Sequence, residues 1–97
     1  MRPPPRTLDS FEVVAWTPLD ARHEQTGNTQ HYLGNTLMGK PAALAICSFP
    51  AENAFYLFYC DSDWVVLTDT YHESLDRAKG QAAFEFNGVE ASWVPVT

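Results

Sequence analysis

Between Ala42 and Asn87 the apolar residues change period once, from about two to about 3.6 residues, and this switch narrows the folds open to the chain. Ala42–Phe49, Ala54–Cys60 and Trp64–Thr70 read as strands, rich in β-branched and aromatic side chains. Pro50-Ala51-Glu52-Asn53 and Asp61-Ser62-Asp63 separate them as short turns, the second suited to side-chain-to-backbone bonding by aspartate. Connections this short make neighbouring strands antiparallel. Ser74 then caps a helix expected over Leu75–Asn87, with Gly88 closing it. Leu75, Ala78, Ala82 and Phe86 form its apolar stripe, while Arg77, Gln81 and Glu85 are assigned to the opposite side and Phe84 away from the sheet. The expected fold is α+β: an antiparallel meander of four or five strands with one C-terminal amphipathic helix packed on one face. Its core should hold Val14, Leu44, Ile46, Leu57, Val66, Leu75, Ala78, Ala82 and Phe86.

Outside that block the signals are weaker. Residues 1–9, polyproline-like across Pro3–Pro5, are expected as a flexible arm ahead of a single domain over 10–97. Phe11–Trp16 reads as a first strand. Thr17-Pro18-Leu19-Asp20 has the hydroxyl, proline and acid of a helix start, which predicts a short helix ended by Gly27. His31–Met38 reads as a second strand bent at Gly34-Asn35, with Gly39-Lys40 as a glycine-first hairpin turn. Val89–Val96 reads as a final extended segment, with Trp93 packing back and Pro95 favouring an edge or a tail.

The chain has 97 residues, two cysteines and a formal charge of −6. The charge is unevenly placed. Four acids and four bases cancel up to Phe49, whereas from Pro50 onward eight acids face only Arg77 and Lys79. Between Asp61 and Asp76 lie five acids and no Lys or Arg. Such a field repels phosphate backbones and attracts basic proteins, so direct nucleic-acid binding is not expected. The apolar stretch Pro41–Ala51 is about half a membrane span, so no membrane association is expected. Arg2 and Arg6 are followed by no apolar run, so the reading is a cytoplasmic protein with Cys47 and Cys60 reduced.

Three constellations bear on chemistry. Asp69, His72 and Glu73 share a strand-to-helix junction and could form the centre of a small hydrolytic or metal-dependent enzyme. They lack HExxH, HxH or CxxC spacing and an adjacent nucleophile, so capping and turn bonds by Asp69, Thr70 and Ser74 are the simpler account. Asp61-Ser62-Asp63 opens like a calcium loop, but Val66 and His72 stand where that loop needs glycine and glutamate. Neither cysteine has a basic neighbour in sequence that would activate its thiol. No catalytic residue, metal or cofactor is expected.

Phe55-Tyr56-Leu57-Phe58-Tyr59 has no polar alternation, so both faces of its strand are large and apolar. The helix stripe can cover one face. The other must meet the N-terminal half, Trp93 or a partner, and an aromatic surface rimmed by acids suits a protein–protein interface. Asp61, Asp63, Asp69, Glu73 and Asp76 are the candidates to steer a basic partner, and Tyr56, Tyr59 and Trp64 the candidates to anchor it.

The segment Phe55–Trp93 carries YLFYCDxxW, TDTxHxSL and QAxFEFxG in that order. It resembles a family of small acidic bacterial proteins of uncharacterised function that share this pattern, over about 40% of the chain, and more loosely over Leu37–Ile46. The resemblance implies an α+β fold and a bacterial cytosol, and carries no catalytic residue to transfer. Toxin-neutralising immunity proteins are similar in size, acidity and build. The resulting expectation is a small acidic protein-binding module, an immunity-like or regulatory inhibitor of a basic partner. The alternatives are the enzyme centred on Asp69 and His72, and a housekeeping domain that self-associates through its aromatic sheet.

Overall fold

The computed structural model describes residues 1–96. In chain order its strands are β1 (Thr7–Leu8), β2 (Phe11–Pro18), β3 (Tyr32–Leu33), β4 (Thr36–Leu37), β5 (Ala43–Phe49), β6 (Ala54–Cys60), β7 (Val66–His72) and, after helix α1 (Leu75–Glu85), β8 (Val94–Pro95). The fold is α+β, and its main sheet is an antiparallel meander in the order β1-β2-β5-β6-β7. Both β1 and β8 pair with β2, which brings this sheet to six strands rather than four or five. Thr7–Leu8, within the expected arm, thus forms a strand, with Leu8 buried.

Two N-terminal expectations are corrected. No helix follows Thr17, because β2 runs on through Pro18 in register with Ala43, and Leu19 N–H donates to the Ala42 carbonyl. The Thr17 hydroxyl turns inward instead of capping, 2.7 Å from Ser92 Oγ. His31–Met38 does not join the main sheet. Gly34, at a φ of 64°, folds it into the separate hairpin β3–β4, so the glycine-first turn is Gly34-Asn35 and not Gly39-Lys40.

The sheet has two buried faces with different side-chain sizes. On one, Leu44, Ile46, Leu57 and Tyr59 pack against Ala78, Ala82 and Phe86 of the helical segment. On the other, central strand β5 presents Ala43, Ala45 and Cys47, with a large side chain, Phe49, only at its end. Large rings from β2, β6 and the β6–β7 turn meet across that low ridge. Phe11 stacks on Tyr56 at 4.9 Å, and Trp16 meets Trp64 edge-on at 5.7 Å. The sheet therefore curls over its small central strand. A register shift between Val13 and Ala15 assists, since it puts Val13 and Trp16, three positions apart, into the same cluster. The second aromatic face is thus covered largely from within, and Trp64 Nε1–H also donates to the Arg2 carbonyl.

Helix α1 starts as expected, with Ser74 Oγ accepting from Arg77 N–H at 3.1 Å. It stops at Glu85 rather than Asn87 because Phe86 is extended (φ −137°, ψ 121°) and enters the core. Gly88, at φ 77°, makes the reversal two residues later. Val14, Val66 and Leu75, expected in the core, are only half-buried.

Candidate functional site

The C-terminal end of α1 is clasped by the chain between Glu24 and His31. Thr26 N–H donates to the Glu85 carbonyl, and Asn87 N–H to the Glu24 carbonyl, both at 2.9 Å. The Phe84 carbonyl accepts from Thr26 Oγ1 (2.7 Å) and Asn28 Nδ2 (2.9 Å). Three of these bonds supply partners for the Phe84 and Glu85 carbonyls, which the helix end leaves open.

Beneath this clasp lies the centre that sequence reading missed. Glu85, assigned to solvent, is 4% exposed and accepts three hydrogen bonds. Tyr59 Oη and Gln81 Nε2 donate to Oε2, the latter at 2.8 Å, and His31 Nε2 lies 2.8 Å from Oε1. Nδ1 of the same imidazole is 3.1 Å from Thr68 Oγ1, and its ring lies 4.2 Å from the Tyr59 ring. With Nε2–H donating to the carboxylate, Nδ1 is free to accept from the threonine hydroxyl. Burial first, and then the bond to Glu85, push the Tyr59 phenol well above its ordinary range. The signal was present in the spacing. Glu85 follows Ala78 by seven residues, about 20° short of two whole helical turns, so it sits at the margin of the apolar stripe.

His31 and Glu85 form part of the wall of a cleft of about 350 Å³ between the 25–41 segment and the end of α1. Thr26, Gln30, Met38 and Phe86 also line it, and no Lys or Arg does.

A second unexpected cluster is buried near β8. His23 is 1% exposed, with Nε2 3.0 Å from Ser92 Oγ and Nδ1 3.4 Å from an Asp20 carboxylate oxygen. The order is that of a serine–histidine–aspartate triad, but the hydrogens are wrong for one. Asp20 N–H donates to Nδ1 at 3.2 Å, so Nε2 carries the proton and cannot take one from Ser92. The Asp20 carboxylate is instead engaged by Arg22, through its guanidinium and backbone N–H, which holds its pKa well below the usual carboxylate range. This cluster ties the 19–23 turn to the C-terminal segment.

The expected partner-binding residues separate by exposure into three groups. Asp63, Asp69, Glu73 and Asp76 are exposed. Asp61 is half-buried and works in the turn, its Oδ1 accepting from the N–H groups of Asp63 and Val65 at 2.9 Å each. Tyr59 and Trp64 lie in the core, at 0% and 4% exposure, and present no ring to a partner. Tyr56 is half-buried, but Tyr71, its cross-strand neighbour at 5.7 Å, is 56% exposed. Asp69 and His72 do not form one centre. Odd spacing within β7 sends Asp69 to the face of Phe58 and His72 to the helix side, where its Nε2 lies 2.7 Å from Thr70 Oγ1 and burial lowers its pKa.

Strand β7 is the outer strand of the sheet and pairs only with β6 among the described residues. Cys47 and Cys60 are fully buried, and burial pushes both thiols up to about 12. Among the described residues no helix is long and apolar enough to cross a membrane. Nor do three His, Cys, Asp or Glu side chains there converge as a set of metal ligands. No family model, curated protein or solved structure matches the chain.

Proposed function

We propose that this chain is a protein-binding module, an immunity-like or regulatory inhibitor that takes a basic partner along the β7 edge. The observation that carries the reading is a seven-residue outer strand, open on one side, with Asp69 and Tyr71 exposed on it. An open edge offers backbone donors and acceptors to an added strand. The five acids from Asp61 to Asp76, with no Lys or Arg among them, select for a partner rich in those residues. Tyr71, backed by Tyr56 and Phe11, supplies the apolar contact in place of the buried Tyr59 and Trp64.

The same geometry disfavours a second copy as the occupant. Asp69 is the middle residue of β7, so two copies paired symmetrically about it would set Asp69 against Asp69. Like charges directly opposite destabilise a strand pair, whereas a lysine or arginine there stabilises it.

The test uses two peptides, one alternating lysine with valine and the other alternating glutamate with valine. The lysine peptide is expected to shift and protect the β7 amides, with an association rate that falls with salt. Replacing Asp69, Glu73 and Asp76 by their amides should slow association and flatten that salt dependence. Tyr71→Ala should chiefly speed dissociation. Equal binding of the two peptides, no binding of either, or shifts centred away from β7 would overturn the reading.

A further inference from the structure

We infer that the cleft at the end of α1 is a separate binding site for a small molecule carrying a protonated amine. Three observations converge on a cation. Glu85, a lining residue of the cleft, has a buried carboxylate whose Oε1 is bonded by His31, another lining residue. It is also the last residue of α1, whose final turn contains no basic side chain, so the negative end of the helix dipole adds to the carboxylate. Finally, no Lys or Arg lines the cleft to occupy that field, and His31 is the one titratable base among its lining residues.

An acid at a helix C-terminus is ordinarily unfavourable, and burial adds to the cost. Tyr59, Gln81 and His31 hold this one by three bonds, and Oε1, bonded by His31 alone, retains acceptor capacity for a fourth. An ammonium group entering the cleft meets that capacity, while a carboxylate meets repulsion from Glu85 and from the helix end. Thr29 and Gln30 are available for polar groups farther along the ligand, and Met38 and Phe86 for its methylenes. A cleft of about 350 Å³ limits the ligand to a small molecule.

The experiment titrates the whole chain with putrescine, 1,4-butanediol and succinate, which share a four-carbon span but differ in charge, and follows amide and imidazole shifts. Putrescine should shift Thr26–His31, Gly39 and Phe86 saturably. The diol should bind at least tenfold more weakly, and succinate should leave those resonances in place. Because Glu85→Gln can fail to fold, the blocking variant is Gly39→Phe. Gly39 lines the cleft without a positive φ, and a Cβ built there meets nothing within 4 Å. That variant should fold as the parent and lose the putrescine shifts. Equal binding of amine and diol, putrescine shifts confined to the Asp61–Asp76 surface, or undiminished binding by a folded Gly39→Phe would each overturn the assignment.

Discussion

The Tyr59 hydroxyl gives its hydrogen bond to a carboxylate that already serves a glutamine and a histidine, so the cost of breaking this cluster depends on which side is removed. Tyr59→Phe deletes one donor and leaves Glu85 two, with an expected loss of about 1.5–3 kcal/mol for one bond to a carboxylate. Glu85→Ala leaves three donors without their acceptor, at about 1–3 kcal/mol for each buried group left unsatisfied. Urea unfolding should therefore rank Glu85→Ala well above Tyr59→Phe, and equal losses would mean that the cluster does not hold the 25–31 segment. The buried thiols make a second residue-scale forecast. Their folded pKa values exceed the ordinary 9.0, so above that pH the unfolded chain binds fewer protons than the folded one. Their contribution is intact below about pH 9 and is lost as pH rises toward about 12. Stability measured across that window should decline, more shallowly in a Cys47→Ala/Cys60→Ala variant. An unchanged slope in that variant would remove the thiols as the cause. Tyr59, whose pKa is also raised, steepens the decline above about pH 10.

At the scale of elements, local chemistry accounts for most boundaries. Ser74 was recognisable as a cap because a hydroxyl preceding a helical pattern satisfies an open N–H, and Ser74→Ala should cost about 1 kcal/mol in urea unfolding. The β6–β7 turn offers a sharper contrast. The Asp61 carboxylate accepts from two backbone groups, whereas that of Asp63 has no hydrogen bond among the described contacts. Asp61→Ala should lower stability by about 1–2 kcal/mol and Asp63→Ala by less than about 0.5. Comparable losses would show that the turn depends on charge rather than on those bonds. The same reasoning moves the test of partner steering to Asp69, Glu73 and Asp76, since neutralising Asp61 confounds binding with folding. Thr17 shows the limit of local signals. Its sequence satisfies the pattern of a helix start, yet the chain goes on pairing with β5 through Pro18, and Leu19 N–H is satisfied by the Ala42 carbonyl.

For the molecule as a whole, the decisive quantity is side-chain volume on β5. Ala43, Ala45 and Cys47 leave room for rings on β2, β6 and the β6–β7 turn to meet above them. Ala45→Leu would place a large side chain beneath the Trp16–Trp64 contact and should cost about 1–3 kcal/mol through overpacking. Near-UV circular dichroism should register the disturbed tryptophan pair. An unchanged spectrum and unchanged stability would show that the curl does not depend on a small central strand.

The order of the central strands, the position of α1 and the acidity of the Asp61–Asp76 segment were legible along the chain, because periodicity, turn residues and capping are properties of near neighbours. The aromatic run also announced that both sheet faces would be buried, though not what would bury the second. That answer, like the union of His31, Tyr59, Thr68 and Glu85, required contacts between residues as far apart as 54 positions. The 25–31 segment that delivers His31 has almost no periodic signal, and only its clasp on the helix end gives it a place. Strand alternation likewise set Asp69 and His72 on opposite faces, while the curl of the sheet withdrew Trp64 and the helix-side packing withdrew Tyr59. Local patterns set which elements form; the packing of distant ones decided which side chains share a site.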